Sequence, residues 1–121
     1  MLFKKNIQTG QTGENIAEEY LKKLKYKIIE RNWHYSKASE IDIIALDNKT
    51  LVFIEVKTRS DITKGHPFEA ITNSKLEKIK KGIQAYLQLT NIKFNDYRID
   101  GIAIVGLNNP TIEHIKNIGQ F

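Results

Sequence analysis

The stretch over residues 39–57 constrains the fold more than any other part of the chain. Two largely apolar runs rich in isoleucine and valine cover 39–47 and 50–57. The residues that join them, Asp47-Asn48-Lys49, are typical of a tight turn. The pattern therefore predicts an antiparallel β-hairpin.

Four charged residues lie on this hairpin. If the turn has two or four residues, Asp42 faces Glu55 across the strands, and Glu40 faces Lys57. Because side chains alternate along a strand, all four share one face. That face continues as Ile44, Leu46, Leu51 and Phe53, and the opposite face is predicted to be core, made of Ile41, Ile43, Ala45, Val52, Ile54 and Val56.

The remaining elements follow from hydrophobic periodicity. The order is helix, three strands in a meander, helix and two strands, and the second helix sits where a crossover would, so the strand after it should be parallel to an earlier one. We predict an α/β fold with a mixed sheet and helices packed on it, as a single domain over 1–121. The predicted elements are a helix over 13–25, a strand over 26–35, a loop over 60–73, a helix that opens with a capping box at 74–77, and strands over 97–107 and 111–118.

Composition excludes several classes of protein. The chain of 121 residues has no cysteine, which rules out disulfides, thiolate zinc sites and a cysteine nucleophile. It contains no apolar run long enough for a signal peptide or a membrane span, so the cytoplasm is the expected location. The net charge of +5 makes nucleic acid a reasonable partner.

The opposed carboxylates of Asp42 and Glu55 are costly in a sheet. Directly opposed Cβ atoms lie about 5 Å apart. At an effective dielectric constant near 20, two charges at that distance repel by roughly 3 kcal/mol. A shared proton or a divalent cation such as Mg²⁺ or Mn²⁺ would relieve this repulsion. Glu14 belongs to the inward stripe of the first helix and could join them, or it could simply be an acid favoured by the helix dipole.

Lys57 has two interpretations. It could pair with Glu40 across the hairpin, which is worth at most about 1 kcal/mol. It could instead orient a water beside a metal ion and neutralise charge on a scissile phosphate. The spacing of the acids and the lysine does not by itself decide between them.

Several motifs carry a family resemblance. Asp42 followed by Glu55-Val56-Lys57 resembles the PD-(D/E)XK nuclease motif. The chain as a whole resembles the bacterial YraN family, which is placed in the restriction-endonuclease-like superfamily near the archaeal Holliday-junction resolvases. The residues that carry this resemblance are Gly10-Gln11-Thr12-Gly13-Glu14-Asn15-Ile16-Ala17, Arg31-Asn32, Glu40-Ile41-Asp42, Val52 to Arg59, Gly65-His66-Pro67 and Arg98-Ile99-Asp100.

The resemblance implies a restriction-endonuclease-like α-β-β-β-α-β core. It also implies metal ligands at Asp42 and Glu55, with Glu14 as a third acid and the carbonyl of Val56 as a further ligand, and a catalytic lysine at Lys57. Ile41 stands where the superfamily has proline. Ser39 replaces the glycine expected before Glu-Ile-Asp.

A basic segment follows the acid pair. Residues 57–81 carry seven Lys or Arg against three Asp or Glu. Such a run usually forms a solvated helix face, but its position beside the acids equally favours contact with phosphates. A structural ion pair is expected between Arg98 and Asp100, and Trp33 and Tyr35 are expected in the core or at its rim. The predicted nucleic-acid contacts are Arg59, Lys64, His66, Lys75, Lys78 and Lys81.

These observations favour a metal-dependent endonuclease that hydrolyses DNA, with branched or junction DNA as a candidate substrate. The alternative is a non-catalytic nucleic-acid-binding module or accessory domain with a relic site. Cutting two strands in concert would require a homodimer.

Overall fold

The computed structural model describes residues 2–37, 39–106 and 108–119, with side chains from residue 12 onward. The order of elements agrees with the prediction. They are α1 (Leu2–Lys23), β1 (Lys27–His34), β2 (Glu40–Asp47), β3 (Thr50–Arg59), a short 3₁₀ helix (Pro67–Ala70), α2 (Asn73–Leu89), β4 (Asp96–Val105) and β5 (Thr111–Ile115).

The five strands form one mixed sheet in the order β1-β2-β3-β4-β5. The first three strands make an antiparallel meander. The strand β4 lies parallel to β3 because α2 carries the chain back along the sheet between them, and β5 returns antiparallel to β4. The predicted mixed sheet and parallel crossover are confirmed.

The two helices pack on opposite faces of the sheet. The α1 face buries Ala17 and Leu21 against the β2–β4 strands, and the α2 face buries Ile79 and Ile83 against the other side. This three-layer arrangement is consistent with a restriction-endonuclease-like fold. Within the described residues, none of the helices is long and apolar enough to span a membrane.

The hairpin keeps the predicted register only over its apolar part. Pairing runs from Asp47–Thr50 to Ile43–Ile54, as predicted. The predicted core face is wrong at Ile41, which joins the α2 cluster, whereas Ile43 joins the α1 cluster. Two residues that should share a face lie on opposite faces, so the alternation of side chains is broken at Asp42.

The alternation of side chains is also broken in the neighbouring strand β1, beside Asp42. Arg31 contacts side chains of α1, but Trp33 packs edge-on against Tyr86 of α2, with ring centroids 5.3 Å apart. Between them Asn32 has φ of 52°. This left-handed conformation is one that asparagine tolerates better than most residues. The placement of Trp33 against the core agrees with the prediction, whereas Tyr35 is exposed.

Several element ends differ from the prediction. Helix α1 begins earlier, at Leu2. The N-cap of α2 is Thr72, whose Oγ1 accepts from the Lys75 N–H, so the capping box predicted at 74–77 is wrong. The capping box instead belongs to the 3₁₀ helix inside the predicted loop, with His66 as its N-cap and Glu69 as the reciprocal residue.

The strand ends also shift. The strand β3 runs on to Arg59, two residues past the predicted end. At the other side of the sheet, β4 ends at Val105 and β5 at Ile115. The predicted end at Leu107 falls outside the described residues, as does the side chain of Gln11.

The expected ion pair between Arg98 and Asp100 is present and belongs to a larger network. Asp100 is fully buried and accepts from Arg98 Nε at 2.9 Å and from the Asn117 N–H at 3.0 Å. His114 Nε2 lies 2.7 Å from its other oxygen. Burial alone would raise the pKa of Asp100, but these hydrogen bonds hold it below its usual range. The network ties β4 to β5 and, through Tyr20 and His114, to α1.

The conformation of Asn32 predicts an unusual order of stability. Asn32→Ala should lower the free energy of unfolding by about 1–2 kcal/mol, because alanine has no compensation for a left-handed backbone. Asn32→Gly should stay close to the native stability. Urea denaturation of the three proteins measures both values. An alanine variant as stable as the glycine variant would contradict the strained conformation.

Candidate functional site

A polar cleft lies where β2 and β3 separate, beyond their last paired residues, Ile43 and Ile54. Its volume is about 230 Å³. It brings together all four residues predicted to act in catalysis, on α1, β2 and β3. The cleft is lined by Glu14, Glu40, Asp42, Glu55, Val56, Lys57 and Lys75.

Asp42 and Glu55 form a buried acidic pair. Their relative exposures are 9% and 6%. The Val56 N–H donates to Asp42 Oδ2 at 2.8 Å. The side chain of Asp42 thus satisfies a backbone donor of β3 at the point where regular pairing has stopped. Burial, followed by the charge of Glu55, raises the pKa of Asp42 to about 8, and the hydrogen bond from Val56 opposes that rise.

Glu14 reaches the cleft because α1 lies very close to β3. A Cβ atom at Gly13 would overlap the Cγ2 methyl group of Thr58, so glycine at this position permits the close approach without displacing Thr58. The next residue, Glu14, then lies beside the acidic pair, and its charge contributes to the raised pKa of Asp42. Arg31 of β1 contacts Glu14 Oε1 at 3.3 Å.

Lys57 lies in the cleft and pairs with an acid of the site. Its Nζ is 3.4 Å from Glu55 Oε1. Glu40, the alternative partner considered from the sequence, instead has its Oε1 4.0 Å from His34 Nε2. The ammonium group is therefore directed at the acidic pair and not at the opposite edge of the hairpin.

The predicted nucleic-acid residues divide into two groups. Lys75 lines the cleft, and Lys78 lines an adjoining depression of about 130 Å³ together with Lys37 of the β1–β2 turn. The other four, Arg59, Lys64, His66 and Lys81, do not line these two depressions.

His66 and Arg59 have local contacts of their own. His66 Nδ1 accepts from the Phe68 N–H, and its Nε2 lies 2.8 Å from Glu113 Oε1. The Arg59 carbonyl accepts from the Gly106 N–H, and its Nε is buried without a hydrogen-bond partner.

Two residues at the site had no role from the sequence. Arg31 stood within a family motif, but no pattern connected it to Glu14, seventeen positions away. Lys37 lies outside the basic segment and reaches the site only because the β1–β2 turn folds beside α2. Both contacts depend on tertiary packing, which sequence spacing does not report.

The available ligand atoms are hard oxygens. Among the residues that the structure describes, no three histidine or acidic side chains converge as a preformed metal-ligand group. The donors are the Asp42–Glu55 pair and the neighbouring backbone, with Glu14 in the same cleft.

Comparison with known proteins shows the family of this chain. A family model described as uncharacterised protein family UPF0102 matches residues 13–104. The chain belongs to this family. It is the YraN family that the sequence motifs indicated. The matched region begins at Gly13, next to Glu14, and includes every residue that lines the cleft.

Relatives in the family match over most of their length. A UPF0102 protein of Persephonella marina is 45% identical over 108 residues, covering 89% of this chain and 90% of the relative. One from Chlorobium limicola is 44% identical over 112 residues, covering 87% and 86%. One from Arthrobacter sp. (strain FB24) is 38% identical over 112 residues, covering 91% and 94%.

The raised pKa of Asp42 predicts how stability depends on pH without metal. The folded protein keeps a proton on Asp42 that the unfolded chain loses near pH 4. The stabilisation is therefore complete below pH 4 and is lost as pH rises through about 8. Between pH 5 and 8 the stability of the native protein, relative to Asp42→Asn, should fall by at most about 1.4 kcal/mol per pH unit.

Urea denaturation in the presence of a chelator measures this difference. Asparagine keeps an oxygen that can accept from Val56 N–H, and the charges facing Asp42, those of Glu14, Glu55 and Lys57, stay in place. Asp61→Asn, at an exposed carboxylate, is the matched control. Parallel pH curves for the native protein and Asp42→Asn would show that Asp42 is ionised throughout.

Proposed function

We propose that this protein is a nuclease that uses Mg²⁺ or Mn²⁺ to hydrolyse phosphodiester bonds in DNA. The observation that carries the proposal is the buried Asp42–Glu55 pair with the Lys57 ammonium 3.4 Å from Glu55, inside an open cleft. A sheet built only for stability gains nothing from two adjacent buried carboxylates. Their retention is expected where the pair binds a cation.

The donor set fits magnesium. Mg²⁺ usually keeps several waters and binds through one or two carboxylates plus substrate phosphates, without an all-protein cage. Asp42 and Glu55, with the carbonyl of Val56, would hold the ion, and Glu14 would act as a third acid. A bound ion of this kind lowers the pKa of a water molecule and stabilises charge on a phosphoryl group.

The residues of the chain supply positioning and charge. Lys57 would donate to a phosphate oxygen or to the attacking water beside Glu55. Lys75 and Lys78 lie on α2 close to the acids. They would contact backbone phosphates, as would Lys37. Contacts to phosphates do not distinguish one base from another, so we expect the protein to recognise the shape of DNA and not its sequence. The described residues form one such site, so cutting both strands would take two copies.

The role of Lys57 is tested by separating binding from cleavage. Lys57→Ala should leave DNA and Mn²⁺ binding in place and lower the single-turnover cleavage rate by roughly two or more powers of ten. Lys57→Arg should not restore the full rate, because a planar guanidinium does not replace a compact ammonium. The assay uses branched, duplex and single-stranded DNA with Mn²⁺, beside a fluorescence binding titration.

The control is Lys49→Ala, at an exposed lysine in the β2–β3 turn. It should cleave at the native rate. Cleavage that survives Lys57→Ala would contradict the assignment of Lys57. If the native protein cleaves none of these substrates in the presence of metal, the result would favour the non-catalytic binding module.

The basic residues predict a dependence of DNA affinity on salt. Lys75→Ala and Lys78→Ala should each reduce the slope of log affinity against log salt by about 1, because each removes one phosphate contact. Lys49→Ala should leave the slope unchanged. Fluorescence anisotropy at a series of salt concentrations gives the slopes. Equal slopes for all four proteins would show that the lysines of α2 form a solvated face and do not contact DNA.

A further inference from the structure

Arg31 is joined to helix α1 by three side-chain contacts. Its Nη1 donates to Asn15 Oδ1 at 2.7 Å and to Glu18 Oε1 at 3.3 Å, and its Nη2 donates to Glu14 Oε1 at 3.3 Å. Glu18 is held in turn by Lys22 Nζ at 2.7 Å. A single guanidinium therefore links β1 to three residues of α1, of which Glu14 lines the cleft.

The local backbone directs Arg31 to this helix. The left-handed conformation of Asn32 places Arg31 on the α1 side of the sheet and Trp33 on the α2 side. Arg31 pairs with Ile43, the residue after Asp42. The guanidinium therefore originates one strand away from the acidic pair and reaches Glu14 from the side of β1.

The contact occupies one oxygen of Glu14. Oε1 faces Arg31, and Glu14 also lines the cleft with Asp42 and Glu55. A free glutamate side chain has many rotamers, and binding a cation would require it to lose that freedom. The single contact from Nη2, on a guanidinium that is itself anchored at Asn15 and Glu18, restricts the Glu14 side chain before any ligand arrives.

We propose that Arg31 is a positioning residue that holds Glu14 through Oε1 and leaves Oε2 for a divalent cation bound by Asp42 and Glu55. This inference rests on the proposed metal-dependent function. It assigns to Arg31 an effect on metal affinity that depends on Glu14. An ordinary ion pair between β1 and α1 would affect stability alone.

The charge of Arg31 must be kept constant in the test. Removing a positive charge near the cleft would by itself strengthen cation binding and would mask the loss of positioning. Arg31→Lys keeps the charge but cannot contact Glu14 and Glu18 through a planar fork. The variants are therefore Arg31→Lys, Glu14→Gln and the double variant, each compared with the native chain.

The measurement is Mn²⁺ affinity from the electron paramagnetic resonance signal of free Mn²⁺, in the absence of DNA. We expect Arg31→Lys to weaken binding by roughly tenfold, as is typical when a group that orients a metal ligand is lost. In the Glu14→Gln background the same change should have no further effect.

Arg98→Lys is the matched control, since it makes the same substitution in the other arginine–carboxylate network. It should leave Mn²⁺ affinity unchanged even if it lowers the melting temperature. Unchanged Mn²⁺ affinity in Arg31→Lys would overturn the positioning role but not the proposed metal site. The same would follow if Arg31→Lys weakened Mn²⁺ binding equally with Glu14 and with Gln at position 14. No Mn²⁺ binding by the native chain would overturn the proposed function and this inference with it.

Discussion

The break in side-chain alternation at Asn32 and Asp42 is the constraint on which the site depends. In a regular hairpin Asp42 would lie opposite Glu55, and backbone atoms alone would pair the strands. Here the carboxylate of Asp42 replaces a strand carbonyl as acceptor for the Val56 N–H. The two strands can end their pairing without leaving that donor unsatisfied in the interior, where it would cost about 1–3 kcal/mol. The polar cleft begins where the ladder stops.

The same break explains why a sheet with a buried acidic pair still folds. The apolar residues on either side of Asp42 are not lost from the core, since Ile41 packs under α2 and Ile43 under α1. Both faces of β2 stay covered while the charged end opens to solvent. Lys57 offsets part of the repulsion at Glu55. Burial, together with the remaining repulsion from Glu55, raises the pKa of Asp42.

Sequence reasoning predicted the order of elements, the mixed sheet, the register of the apolar part of the hairpin and the proximity of Asp42, Glu55 and Lys57. These follow from alternation, helical spacing and turn chemistry, which act over a few residues. It failed where the backbone departs from regular geometry. Alternation assigned Ile41 to the wrong face of the sheet. The pattern Ser-x-x-Glu predicted a capping box at 74–77, but Thr72 is the N-cap of α2. Contacts between distant segments, such as Arg31 with Glu14, left no trace in local spacing.

The part of the chain that the structure describes contains two arginine–carboxylate networks, and their difference bears on function. In the first, both oxygens of the fully buried Asp100 are engaged by Arg98, His114 and a backbone amide. Such a network fixes strands in place, and the burial of Asp100 leaves no exposed oxygen for a ligand. In the second, Arg31 engages one oxygen of Glu14 at the rim of an open cleft. A network made only to join β1 to α1 would gain more by closing as the first one does. An acid left half-satisfied beside two buried carboxylates is the arrangement expected where a further positive charge completes the set.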